Sequence, residues 1–98
     1  MTMPEPDATS ALRAIRDEIE RVDSEIIALV ARRLELARQT GDLKRAHNLP
    51  LFDAAREAAV VRRAAELSRA AGLPEEEARS LFWILIGMAR RLQAEEAP

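Results

Sequence analysis

Apolar residues recur at alternating steps of three and four along the first half of the chain: Leu12, Ile15, Ile19, Val22, Ile26, Leu29 and Leu36. That spacing is the heptad pattern of an amphipathic helix with one buried stripe. One position in the stripe is wrong for it, because Arg33 stands where an apolar residue belongs. The pattern continues past Leu36 towards Leu43 and Lys44 with Gly41 as its weak point, and Asn48-Leu49-Pro50 ends it. A residue before proline is pushed out of helical geometry. Residues 1 to about 9 are polar and proline-bearing and read as a disordered tail, with Thr9 or Ser10 capping the first helix. A second helix starts at the N-cap residue Asp53, buries Val60, Val61, Ala64 and Leu67, and stops at Gly72. Pro74 opens a third helix with Glu75, Glu76 and Glu77 in its first turn and a stripe of Ala78, Leu81, Phe82, Leu85, Ile86 and Ala89 that ends at Gln93. No run alternates apolar and polar as a strand would. The expected fold is all-α, one long helix and two shorter ones, forming a single helical domain over residues 10–95.

The length of the first helix has a consequence. From Leu12 to Lys44 it would run about 50 Å at 1.5 Å per residue. A compact globule of this size is roughly 30–35 Å across. One end of the helix must then project from its own chain, and an apolar stripe is not stable in water. An intertwined helical homodimer, in which a second copy covers the stripe, resolves the conflict. The competing arrangement breaks the helix near Thr40-Gly41 and folds as a four-helix monomer.

Composition supports helix throughout: 48% of residues are apolar, but only one tryptophan and two phenylalanines are aromatic. A net charge of −2 disfavours a nucleic-acid partner. There is no cysteine and one histidine, so disulfides, thiolate metal sites and a zinc site built on His47 are excluded. No run approaches the roughly 18 apolar residues of a membrane span. The start lacks the basic region and apolar run of a signal peptide. A cytoplasmic protein is expected, free-standing, with no metal or cofactor, no nucleic acid and no membrane.

The remaining polar residues concern an anion. A buried guanidinium without a partner costs several kcal/mol, so Arg33 requires one. Lys44 lies eleven residues on, which returns it to nearly the same helix face. Two cations there repel unless an anion lies beside them. The ordinary alternatives are that Arg33 pairs with a glutamate such as Glu57 and that Lys44 is merely solvated. Arg16 sits about 25 Å from Arg33 along the axis and on a different face, so only a partner chain could bring it to the same ligand. Asp53, Arg56 and Glu57 share one side of the second helix's first turn. Their ordinary reading is an N-cap with a local Asp53–Arg56 ion pair. Gln93 at the end of a stripe ordinarily means that the stripe reaches solvent. Phe82 and Trp83 read as core or interface packing, and His47 as a loop residue.

Taken together, Ile15-Arg16-Asp17-Glu18-Ile19, Ala31-Arg32-Arg33-Leu34-Glu35-Leu36-Ala37, Gly41-Asp42-Leu43-Lys44, Pro50-Leu51-Phe52-Asp53-Ala54-Ala55-Arg56-Glu57 and the closing Leu81-Phe82 to Gln93 closely resemble the all-helical chorismate mutases, the type II or AroQ class. The resemblance spans about residues 12–93. It implies conversion of chorismate to prephenate in phenylalanine and tyrosine biosynthesis, by a concerted Claisen rearrangement that needs no nucleophile and no cofactor. It also implies roles. Arg33 would bind one substrate carboxylate and Arg16 of the other subunit the second; Lys44 and Gln93 would donate to the ether oxygen. Glu57 with Asp53 would accept from the ring hydroxyl, and Arg56 would face the ligand or hold the acidic pair. One position departs from the pattern: Ala89 stands where the family often has a hydroxyl residue. Losing one neutral hydrogen bond costs about 0.5–1.5 kcal/mol, a factor of roughly 2–13. Two sibling activities on the same fold remain open, an isochorismate pyruvate lyase and a 4-amino-4-deoxychorismate mutase. The lyases tend to lack the Asp-x-x-Arg-Glu signature present here, whereas Glu57 could accept from an amine as readily as from a hydroxyl. A non-catalytic helical dimer would explain the heptads but not the polar set.

Overall fold

The computed structural model describes residues 7–95. Among them are three helices and no strand: α1 (Ala8–Ala46), α2 (Ala54–Ala70) and α3 (Glu75–Glu95). None is long and apolar enough to cross a membrane. The chain divides after Arg32 into two units.

In the first unit, α1 begins earlier than the pattern suggested. The Asp7 carboxylate accepts the Ser10 backbone N–H at 2.7 Å, so Asp7 is the cap in place of Thr9 or Ser10. That bond and the Ser10 hydroxyl hold the Asp7 carboxyl below its ordinary value. Ala8 and Thr9 are helical, while residues 1–6 of the expected tail lie outside the described residues. The heptad residues Leu12, Ile15, Ile19, Val22, Ile26 and Leu29 are all exposed, from 45% to 68%.

The second unit holds the rest of α1 with α2 and α3. The helix passes Thr40-Gly41 without the break of the monomeric alternative. One ion pair spans the glycine, Arg38 with Asp42 at 3.2 Å, and two flank it, Arg38 with Glu35 at 2.6 Å and Arg45 with Asp42 at 2.7 Å. The expected stop follows. Asn48 adopts a left-handed φ of 54°, and the Leu49 N–H returns to the Lys44 carbonyl at 2.8 Å.

The short connection between α2 and α3 turns at Gly72, whose φ of 74° is the left-handed conformation a glycine takes without strain. The Leu73 N–H closes the turn on Ser68 O at 2.8 Å, and Arg69 pairs with Glu75 at 2.6 Å across it. The core of this hairpin is Val61, Ala64 and Ala65 against Leu85 and Ile86. Ser68 is buried with them, its hydroxyl donating to Ala64 O at 2.7 Å. Here the expected stripes need correction, since Leu67 and Leu81 are each 54% exposed. The face of α2 that packs is Val61-Ala64-Ala65-Ser68, because small residues let two helices approach closely, and that choice turns Leu67 outwards. Trp83 is also exposed, at 48%, so it is not a core residue of the chain.

Candidate anion-binding cleft

The C-terminal part of α1, the first turns of α2 and the last turns of α3 surround a cleft of about 310 Å³. That is the lower end of the range for small-molecule sites. Arg33, Lys44, Asp53, Arg56, Glu57, Ala89 and Gln93 all line it. Seven of the eight residues singled out from the sequence therefore meet in one place. The eighth, Arg16, is exposed in the first unit and is not a lining residue.

Helical register explains the meeting on α1. Arg33, Ala37, Thr40 and Lys44 follow one another at steps of four, three and four, and all face the cleft. Arg33 is half-buried with its guanidinium carbon 5.8 Å from the centre of the Phe82 ring. That contact accommodates a cation without neutralising it. Among the described residues no carboxylate pairs with Arg33, and the anticipated Glu57 partner is engaged elsewhere. Lys44 donates from Nζ to Leu51 O at 3.1 Å, which fixes the ammonium and leaves it two further protons. Neither cation is merely solvated. The hydroxyl of Thr40 is spent on Leu36 O at 3.0 Å.

Gln93 is buried at 8% exposure, contrary to the reading of a stripe reaching solvent. Its Nε2 donates to Ala37 O at 2.9 Å, and its backbone carbonyl accepts from Arg45 at 3.4 Å. One amide proton thus anchors the side chain and the other is left for the cleft. The approach depends on Gly41, the buried residue of α1, because a Cβ there would stand 3.1 Å from Gln93 Cγ.

On α2, the Asp53 carboxylate accepts the Arg56 backbone N–H at 3.0 Å. The cap is present as expected, but the bond comes from the Arg56 main chain and its guanidinium stays exposed at the cleft. Glu57 is held by a residue the sequence reading passed over. Arg90 of α3 donates from Nε to Glu57 Oε2 at 2.6 Å and from Nη2 to Oε1, a two-pronged grip across 33 residues. This grip keeps the Glu57 carboxyl below its ordinary value; Lys44 assists, while burial and the Asp53 charge oppose. The signal that would have found Arg90 is its place three residues before Gln93, on the same helix face. Phe52, Val60 and Ile86, also lining residues, supply apolar wall.

The arrangement concentrates three guanidinium groups, the Lys44 ammonium and the Gln93 amide around two carboxylates, Asp53 and Glu57. In an all-helical fold, such a cleft is a candidate site for a small anionic ligand. Residues 15–94 match the family described as chorismate mutase type II, and the chain belongs to that family. It is 30% identical over 84 residues to the chorismate mutase of Methanocaldococcus jannaschii, covering 86% of this chain and 85% of that one. It is also 35% identical over 65 residues to the T-protein of Enterobacter agglomerans, which covers 66% of this chain and 17% of the relative. The T-protein of Haemophilus influenzae is 45% identical over 51 residues, covering 52% of this chain and 14% of that protein. This chain therefore spans only about a sixth of the T-proteins that it matches.

Proposed function

We propose that this chain is a chorismate mutase, an isomerase that converts chorismate to prephenate in phenylalanine and tyrosine biosynthesis in the cytoplasm. The observation that carries the reading is the convergence of Arg33, Lys44, Glu57 and Gln93 on one cleft. The similarity to the Methanocaldococcus chorismate mutase over most of both chains supports it.

The chemistry suits the residues. A concerted rearrangement offers no group to attack and no proton to transfer. An enzyme accelerates it by holding the reactive conformer and by stabilising the charge that develops as the ether bond breaks. Arg33 forks onto one carboxylate of the substrate. Lys44 and the free amide proton of Gln93 donate to the ether oxygen, where negative charge grows. Glu57 accepts from the ring hydroxyl, and Asp53, which caps α2, fixes the turn that carries it. Arg56 faces the ligand at the rim. Ala89 offers no hydroxyl, so the contact available at that position in relatives of the resemblance falls to water or backbone.

The second carboxylate needs Arg16, and Arg16 reaches it from a second copy. The exposed apolar stripe of α1, from Leu12 to Leu29, supports an intertwined homodimer, because exposed apolar area of that extent is unfavourable in water. The test is to incubate the pure protein with chorismate, isochorismate and 4-amino-4-deoxychorismate and identify the products. Prephenate from chorismate is the expected result. Arg33→Ala should reduce kcat/KM by at least about a hundredfold, because it leaves a charged ligand group unpaired, while circular dichroism remains that of a helical protein. Full activity in that variant would sink the assignment.

A further inference from the structure

The Arg90–Glu57 pair is not accounted for by stability. The Arg90 side chain is 50% exposed, and a pair with one partner in solvent contributes little to folding. Yet it is held with care. The guanidinium grips both oxygens of Glu57 and lies 5.8 Å from the centre of the Phe52 ring, so a flat cation is fixed between an aromatic face and a carboxylate. Glu57 is only 14% exposed, and Glu57, Phe52 and Arg90 all face the cleft. A freely rotating glutamate is a poor acceptor for a single hydroxyl; a clamped one presents its remaining lone pairs in one direction.

We propose that Arg90 is a positioning residue for the mutase reaction, clamping Glu57 in the orientation and ionised form in which it accepts the ring hydroxyl of the substrate. The inference rests on the mutase reading above. The charged groups around Glu57 come from each helix of the cleft: Arg90 from α3, Asp53 and Arg56 from α2, and Lys44 and Arg33 from α1. Arg90 is the strongest influence keeping Glu57 ionised, Lys44 acts in the same sense, and Asp53 opposes both. The sign follows directly. A carboxyl lowered by its partner stays ionised to lower pH, so removing the partner moves the loss of function to higher pH.

Arg90→Gln and Arg90→Lys separate clamping from plain packing. In Arg90→Gln, kcat/KM on chorismate at neutral pH is expected to fall roughly tenfold, the scale of one partly screened charged hydrogen bond. The acid limb of its pH profile should move upward. Arg90→Lys keeps the charge without the fork, so it should return the acid limb towards its original position and recover only part of kcat/KM. A carbon NMR titration of the Glu57 carboxyl gives a readout that does not need turnover, and it should show the same upward move in Arg90→Gln. An unmoved acid limb and an unmoved Glu57 titration in Arg90→Gln would overturn the proposal, even if melting temperature or rate declined. Absence of turnover by the unsubstituted protein would instead overturn the mutase reading and the catalytic part of this proposal. The Glu57 titration would then decide the Arg90 linkage alone.

Discussion

Gly41 reads in the sequence as a flaw in a helix and acts in the structure as a seat. Its hydrogen leaves room for Gln93, whose Cγ would be 3.1 Å from an added Cβ, tight enough that the side chain has to shift by a few tenths of an ångström. In Gly41→Ala the helix itself gains about 0.5–1 kcal/mol from alanine's lower conformational freedom in the unfolded chain. The displaced Gln93 loses alignment with both Ala37 O and the cleft. The two effects oppose in stability but not in catalysis. The expected outcome is a melting temperature within a few degrees of the unsubstituted protein and a several-fold lower kcat/KM, at most about a hundredfold. Chemical denaturation and steady-state kinetics on the same preparation check both halves. Arg33 shows the same contrast between residue type and surroundings. Its oddity was visible as a break in periodicity, but its rest position over Phe82, and not beside Glu57, depended on where α3 lies.

At the level of elements, the starts and stops were written locally. Asp53 caps α2, Asn48 closes α1 in a left-handed conformation and Gly72 does so for α2, each by a bond within a few residues. Because Gly72 has a φ of 74°, Gly72→Ala should destabilise the protein by about 1 kcal/mol, although nothing lies within 4 Å of the added methyl. Thermal unfolding checks this, and activity at a temperature well below the transition should be unchanged because the turn is remote from the lining of the cleft. What the pattern misassigned on α2 was Leu67, which is exposed, while Val61 and Ala64 are buried as expected. Periodicity marks a helix as amphipathic, but Val60, Val61, Ala64, Leu67 and Ser68 offer two adjacent stripes. Close packing against Leu85 and Ile86 selected the one with the smaller residues.

For the whole molecule, the exposed heptads of residues 12–29 carry the proposal of a homodimer with sites shared between subunits. Mixing decides it. Arg16→Ala and Arg33→Ala proteins should each be inactive, and unfolding and refolding them together should restore about a quarter of the unsubstituted activity. Random pairing makes half of the dimers mixed, and each mixed dimer has one doubly damaged and one intact site. Verified mixed dimers without activity would rule out Arg16 acting in trans. Ile19→Glu places a charge in the stripe and should weaken association, read by light scattering as a lower mass at low concentration.

Taken by itself, the sequence determined what depends on neighbours along the chain: helix type, helix ends, the amphipathic stripe and the register that lines up Arg33 with Lys44. It also carried the family resemblance, and residues 15–94 match the chorismate mutase type II family. Only tertiary structure decided the contacts between distant segments. Arg90 reaches Glu57 across 33 residues, Gln93 reaches Ala37 across 56, and neither partner is encoded in a local pattern. A charge on a helix has many possible partners until packing fixes which face of which helix it meets. That is why Glu57 was legible as an acidic residue of the cleft, while the arginine that holds it was not.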